Sequence, residues 1–205
     1  MATAQEILNY IDAFDHEAEN GYDSKIHLND SILHACVVMK ALITKASQEF
    51  ERTINMYCGV FSLFRDKTSA KVQRAKDACN VDGLSIEDND RWNTLDLFGA
   101  LQNRLREFLG DGGKLNLIVQ REIESLRDNQ IWTALQKGIS DGTVKIYSLS
   151  ENISLDHFAT TYEAYRIENS DEEKTAMCCF RDEKRGLVLN NNFTTLKQRS
   201  QLIYG

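Results

Sequence analysis

The chain has 205 residues, of which 42% are hydrophobic and 27% charged, with a net charge of −7. That length carries one large domain, or one domain with a helical extension, and the composition is that of a globular protein with a real core. The acidic balance argues against an overall basic nucleic-acid footprint, and no apolar run approaches the roughly 18 residues of a membrane span.

The amino-terminal residues have neither a basic leader nor a long apolar core, so the expected compartment is the cytoplasm. Five cysteines (Cys36, Cys58, Cys79, Cys178, Cys179) form an odd set without CxxC spacing, which reads as small buried residues in a reducing compartment. The histidines His16, His27, His34 and His157 sit at no recognised ligand spacing, so no metal and no cofactor are expected. There is no proline, which leaves Gly, Asn and Asp to make the turns.

Thr3 and Glu6 have capping-box spacing and open a helix with Ile7, Leu8, Ile11 and Phe14 on one face. It should stop near Asn20-Gly21. A second helix starts around Asn29 or Asp30. Its apolar stripe of Ile32, Leu33, Cys36, Met39, Ile43 and Ala46 is widened by Val37, Val38 and Leu42, which predicts cover on more than one side, by packing or by a dimer partner. Residues 52–58 read as a first core strand, and 60–79 as a helix carrying Lys67, Lys71, Arg74 and Lys76. Asp88 and Asp90 open a single long helix with Trp92, Leu95, Phe98, Leu101, Leu105 and Phe108 inward, stopped by the glycines at 110–113.

The pattern then alternates. A strand at 115–119, an amphipathic helix at 122–137 and a strand at 143–149 imply a parallel pair with a crossover. Residues 157–168 read as a strand pair and 175–181 as a further strand, around the acidic turn at 169–173. A final helix runs from about Asp182 or Lys184 to near the last residue, with Leu187, Phe193 and Leu196 inward. The natural division is a helical segment at 1–49 and a mixed α/β domain at 50–205.

From Arg52 onward this order resembles one repeat of the phospholipase D-like fold. The residues that carry the resemblance are His157 entering a strand, the run Tyr165-Arg166-Ile167-Glu168, the strand around Cys178-Cys179, and the polar helix holding Asn190 and Asn192. The resemblance implies a mixed sheet flanked by helices, and a site at which two repeats face one another. In active members a His attacks a phosphodiester and lysines stabilise the phosphoryl oxygens. Here His157 matches the nucleophile position, but Ala159 stands where the Lys belongs, Ala164 where the Asp would fall, and Cys178-Cys179 where a Gly-Ser pair would stand.

The expectation is therefore a degenerate member: a non-catalytic binding or assembly protein, acting as a homodimer or complex subunit. The resemblance associates such members with prokaryotic nucleic-acid-handling and defence systems. The alternative is a phosphodiesterase or nuclease that uses His157. Tyr165, Arg166, Glu168, Lys184, Arg185, Asn190 and Asn192 are the candidate ligand-binding residues. Arg166 and Glu168 share strand parity, which favours an ion pair between them. Lys184, Arg185, Lys197 and Arg199 form a basic cluster, and a third reading makes this and the cluster at 67–76 a nucleic-acid surface. Serine hydrolase, P-loop and dinucleotide signatures are missing; the Gly-rich run at 110–113 ends a helix where phosphate cradling needs one to begin.

Overall fold

Helix α1 (Ala4–Asn20) begins where its sequence asks it to: the Thr3 hydroxyl accepts from the Glu6 N–H, while the Glu6 carboxylate accepts from the Thr3 N–H at 2.7 Å. Gly21, at φ 97°, ends it. The computed structural model describes residues 3–58, 64, 66–120, 126–127, 131–151, 153, 155–169 and 175–205. Three residues, His27–Asn29, then form strand β1 before helix α2 (Ile32–Gln48) starts on a Ser31 cap. The short strand delays the second helix by two to three residues relative to the sequence expectation.

Strand β2 (Thr53–Cys58) follows, then helices α3 (Asp66–Asp77), α4 (Ile86–Thr94) and α5 (Leu97–Gly110). The single long helix expected from Trp92 to Phe108 is two. Asp96 breaks it by turning its carboxylate onto the Gly99 N–H at 2.8 Å, so α5 begins with its own cap. Gly99 permits this, because a methyl group there would collide with the Asp96 carboxylate. Strand β3 (Lys114–Val119), helix α6 (Trp132–Ser140) and strand β4 (Val144–Ser148) form the expected crossover unit. Much of the helix expected at 122–137, the start of the 60–79 helix and most of the acidic turn lie outside the described residues. Strands β5 (His157–Thr160), β6 (Tyr165–Glu168) and β7 (Ala176–Cys179) lead into helix α7 (Glu183–Gln198) and a last strand, β8 (Gln201–Tyr204), where the sequence suggested only helix.

Among the described residues, eight strands make one mixed sheet in the order β1-β7-β6-β5-β2-β3-β4-β8. Its centre, β2-β3-β4, is parallel; the remaining pairings are antiparallel. Side-chain alternation divides the sheet into two faces. Ile54, Met56, Leu115, Leu117, Ile146, Ala159 and Cys178 point into a large apolar cluster under α2 and α6, with α1 and α5 packed against α2. Tyr57, Ile118, Tyr147, Phe158, Tyr165, Ile167 and Cys179 point the other way, against Leu189, Phe193 and Leu196 of α7.

The broad apolar surface of α2 is used up internally by this packing: Leu33, Val38, Leu42, Ile43 and Ala46 are all buried among α1, α5 and the sheet. Strand β1 and helices α1 and α2 also bring residues 3–49 into the same sheet and the same apolar cluster as the residues after them.

Candidate functional site

The β5–β6 hairpin carries most of the residues singled out in the sequence. Its register sets His157 opposite Glu168, Ala159 opposite Arg166 and Thr160 opposite Tyr165. Directly opposed residues share a face. Arg166 and Glu168 therefore project to the side covered by α2, and Tyr165 projects to the side covered by α7.

Arg166 is 12% exposed and its Nη1 donates to Glu168 Oε2 at 2.8 Å, the ion pair that the shared parity implied. Its Nη2 reaches Asn29 Oδ1 on β1 at 3.5 Å, and its Nε is buried without a hydrogen-bond partner. Arg166 stands opposite Cys178 in the sheet, on a strand in contact with α2, and its charge pulls against the upward shift that burial gives the Tyr10 hydroxyl and the Cys36 and Cys178 thiols. His157 lies at the start of β5, half-buried, its ring edge-on to Tyr57 with 5.8 Å between centroids.

Ala159 and Ala164 occupy closed positions, 4% and 0% exposed, and both belong to the large apolar cluster. A lysine at 159 would have to place its ammonium in that cluster, at the desolvation cost of an unpaired buried charge. Cys178, beside Arg166 in the sheet, is equally closed, and burial pushes its thiol up to about 12. Burial raises Cys36 and Cys58 to about 12 as well, which leaves these thiols protonated and unreactive at neutral pH.

On the other face the polar residues form a chain. Asn116 Nδ2 donates to Asn55 Oδ1 at 2.8 Å, Asn55 Nδ2 donates to Asn190 Oδ1 at 2.7 Å, and Asn190 Nδ2 donates to the Thr161 carbonyl at 2.8 Å. Asn190 thus ties α7 to the sheet and to the hairpin turn. The Tyr165 hydroxyl on this face is shifted up by burial. Lys184, Arg185 and Asn192 are exposed on α7. Of the wider basic groups, Lys197 lies over the Tyr147 ring at 5.3 Å and Arg199 pairs with Glu151, while Lys76 donates to the carbonyls of Asn93 and Leu95. The sheet therefore separates Arg166 and Glu168 from Tyr165, Asn190 and the α7 cations, and the sequence-derived set does not converge on one pocket.

A cluster that the sequence reading passed over lies at the hairpin turn. Glu49, just past the end of α2, accepts from the Thr161 hydroxyl at 2.6 Å and from the Tyr162 and Glu163 N–H groups. Lys45 Nζ meets Glu163 Oε2 at 2.5 Å. These residues, with Phe50 and Tyr162 exposed at the rim, line a cleft of about 420 Å³. The contacts join residues more than a hundred positions apart, so no local spacing could have revealed them.

No protein-family model matches the sequence, and no curated protein matches it. Thirteen chains of solved structures are similar in fold, two of them as follows. One is TrmBL2, an archaeal chromatin protein whose structure shows a novel mode of DNA binding: the TM-score is 0.55 at 9% identity, covering 94% of this chain and 60% of that one. The other is Nuc from Salmonella typhimurium, a phospholipase D family member, with TM-score 0.52 at 9% identity, covering 88% of this chain and 99% of that one. The chain thus spans less than two thirds of the chromatin protein's length. At such identity the likeness carries architecture and leaves activity open. The fold is phospholipase D-like: a mixed sheet flanked by helices on both faces.

Proposed function

We propose that this chain is a non-catalytic, degenerate phospholipase D-like protein that binds or assembles, as a homodimer or as one subunit of a complex, in a prokaryotic nucleic-acid-handling or defence setting. In this reading residues 50–205 form the phospholipase D-like domain and residues 1–49 the helical segment that completes its core. The observation that carries the proposal is the burial of Ala159 and Ala164, at 4% and 0% exposure. The positions that would supply a lysine and an aspartate to phosphodiester chemistry hold methyl groups sealed beneath helices. The neighbouring Arg166 spends its charge on Glu168.

The test joins solution mass by light scattering to an assay of phosphodiester cleavage on single-stranded DNA and a nitrophenyl diester. A dimer, or a monomer that co-purifies with a defined partner, without cleavage is the expected result. Metal-independent cleavage that His157→Ala abolishes would replace this proposal with the phosphodiesterase reading.

A second reading is favoured by the likeness to a DNA-binding chromatin protein together with the exposed Lys184 and Arg185 on α7. It makes α7 a nucleic-acid surface despite the net charge of −7. Binding of duplex DNA that weakens steeply with salt, and weakens further in the Lys184→Ala/Arg185→Ala double variant, supports it. Salt-insensitive binding, or none, removes it.

A further inference from the structure

Apart from the hairpin, a second group of side chains gathers where α1 hands over to β1. Glu17 lies in the last turn of α1, Asp23 in the connection that follows, and His27 opens β1. Gly21 turns the chain between them. A carboxylate oxygen from Glu17, one from Asp23 and a ring nitrogen of His27 all lie within 4.8 Å of one another.

Glu17 and His27 are half-buried and Asp23 is exposed, and one polar atom of each of the first two is closed off. Glu17 Oε2 and His27 Nε2 are each shielded from solvent without a hydrogen-bond partner. The side chains as wholes are 17% and 12% exposed. Buried polar atoms are nearly always paired, so two orphans on neighbouring side chains need an explanation. The surroundings hold the imidazole in place: its ring packs on Phe14 at 4.9 Å and near Phe180 at 6.4 Å, and its backbone is in register with Cys178. Asp23 is oriented by the Lys25 N–H, which donates to its Oδ1 at 2.8 Å.

An internal ion pair does not satisfy the group. His27 Nε2 and Glu17 Oε1 stand 3.7 Å apart, beyond hydrogen-bond range. Lys25, the basic residue of the connection between α1 and β1, is exposed. The last turn of α1 holds no basic side chain to offset the negative end of its dipole.

We propose that Glu17, Asp23 and His27 form a binding site for a divalent transition metal of the zinc class. One neutral imidazole and two carboxylates supply three ligands and two negative charges, and water completes a tetrahedral shell. The bound ion takes one ligand atom from each side chain, supplies the cation missing from the end of α1, and fastens β1 at the edge of the sheet. The earlier expectation of no metal rested on histidine spacing; here a helix end, a turn and a strand make the site, with only one histidine. The proposal is independent of the assembly reading above.

The test uses the full chain stripped by chelator and then titrated with Zn2+ and with Co2+. The expected result is one Zn2+ per chain, a raised melting temperature on binding, and a Co2+ spectrum without the near-ultraviolet thiolate band. Glu17→Gln and His27→Gln should each weaken binding at least tenfold and remove the thermal shift. Glu17→Gln is nearly isosteric, so it reports on the site even if His27→Gln fails to fold. A thiolate band, which would assign the ion to cysteine, overturns the proposal. So does binding unchanged in Glu17→Gln.

Discussion

The two faces of the sheet solve the same burial problem by different means. The face under α2 and α6 is dominated by apolar side chains, and its Arg166 is paired with Glu168 on the same strand while its Nε stays without a partner. The face under α7 is closed by one helix whose apolar contacts are supplemented by a run of three asparagines reaching the hairpin turn. Apolar contact tolerates many helix positions at similar cost, whereas the asparagine chain fixes one. The first face supplies bulk stability; the second sets where α7, and the cations it carries, stand relative to the strands.

Large truncations test whether the faces nevertheless form one cooperative unit. Phe193→Ala, against the α7 face, should cost about 3–5 kcal/mol, and Leu117→Ala, on the other, about 2–5 kcal/mol. Both should shift a single urea transition; a separate early transition in Phe193→Ala alone would mean that α7 unfolds independently. Asn190→Ala leaves Asn55 Nδ2 without its acceptor and the Thr161 carbonyl with the Thr160 hydroxyl as donor, and should cost about 1–3 kcal/mol by chemical denaturation. Asn190→Leu should not restore that loss if position, rather than burial, is what the asparagines supply.

Arg166→Ala strands a carboxylate that is 35% exposed, so its cost should fall to about 1–2 kcal/mol, below that of a fully buried pair. The double variant with Glu168→Ala should recover part of it. The smallest effect belongs to the surface pair Asp12–Arg91. The guanidinium hydrogen bond holds the Asp12 carboxyl below its ordinary 3.8. The pair's contribution is therefore present above that value and fades as pH falls through the lower folded one. Asp12→Asn should flatten the acid limb of stability against pH below about 4 by ~0.5 kcal/mol or less, measured by denaturation at each pH.

The sequence made the helix starts legible wherever a local motif specifies them, as with the Thr3–Glu6 box and the Asp182 cap of α7. Core strands were visible as β-rich runs, and the shared parity of Arg166 and Glu168 was enough to foresee their contact. Strands β1 and β8 were not visible, because three or four edge residues carry too little alternation to register. The split between α4 and α5 was hidden because the apolar spacing from Trp92 to Phe108 runs unbroken through it; only Asp96 three residues before Gly99 marked the cap. Which sheet face each candidate residue occupies depends on pairing between distant strands. That is why one linear motif became groups on opposite sides, and why the Glu49–Thr161 turn clamp and the Glu17–His27 pair escaped notice.

The partner of β1 is β7, and the Asn29 side chain that donates to the Ala176 carbonyl spans 147 positions. Closing so long a loop costs chain entropy before any contact repays it. During synthesis β1 leaves the ribosome long before β7 exists, and for that interval it has no sheet to join. Its exposed Leu28 and neighbouring Ile26 then offer an unpaired, apolar strand to other chains. The kinetic vulnerability that this pairing implies lies at residues 26–29, and a refolding yield that falls as protein concentration rises is the expected outcome.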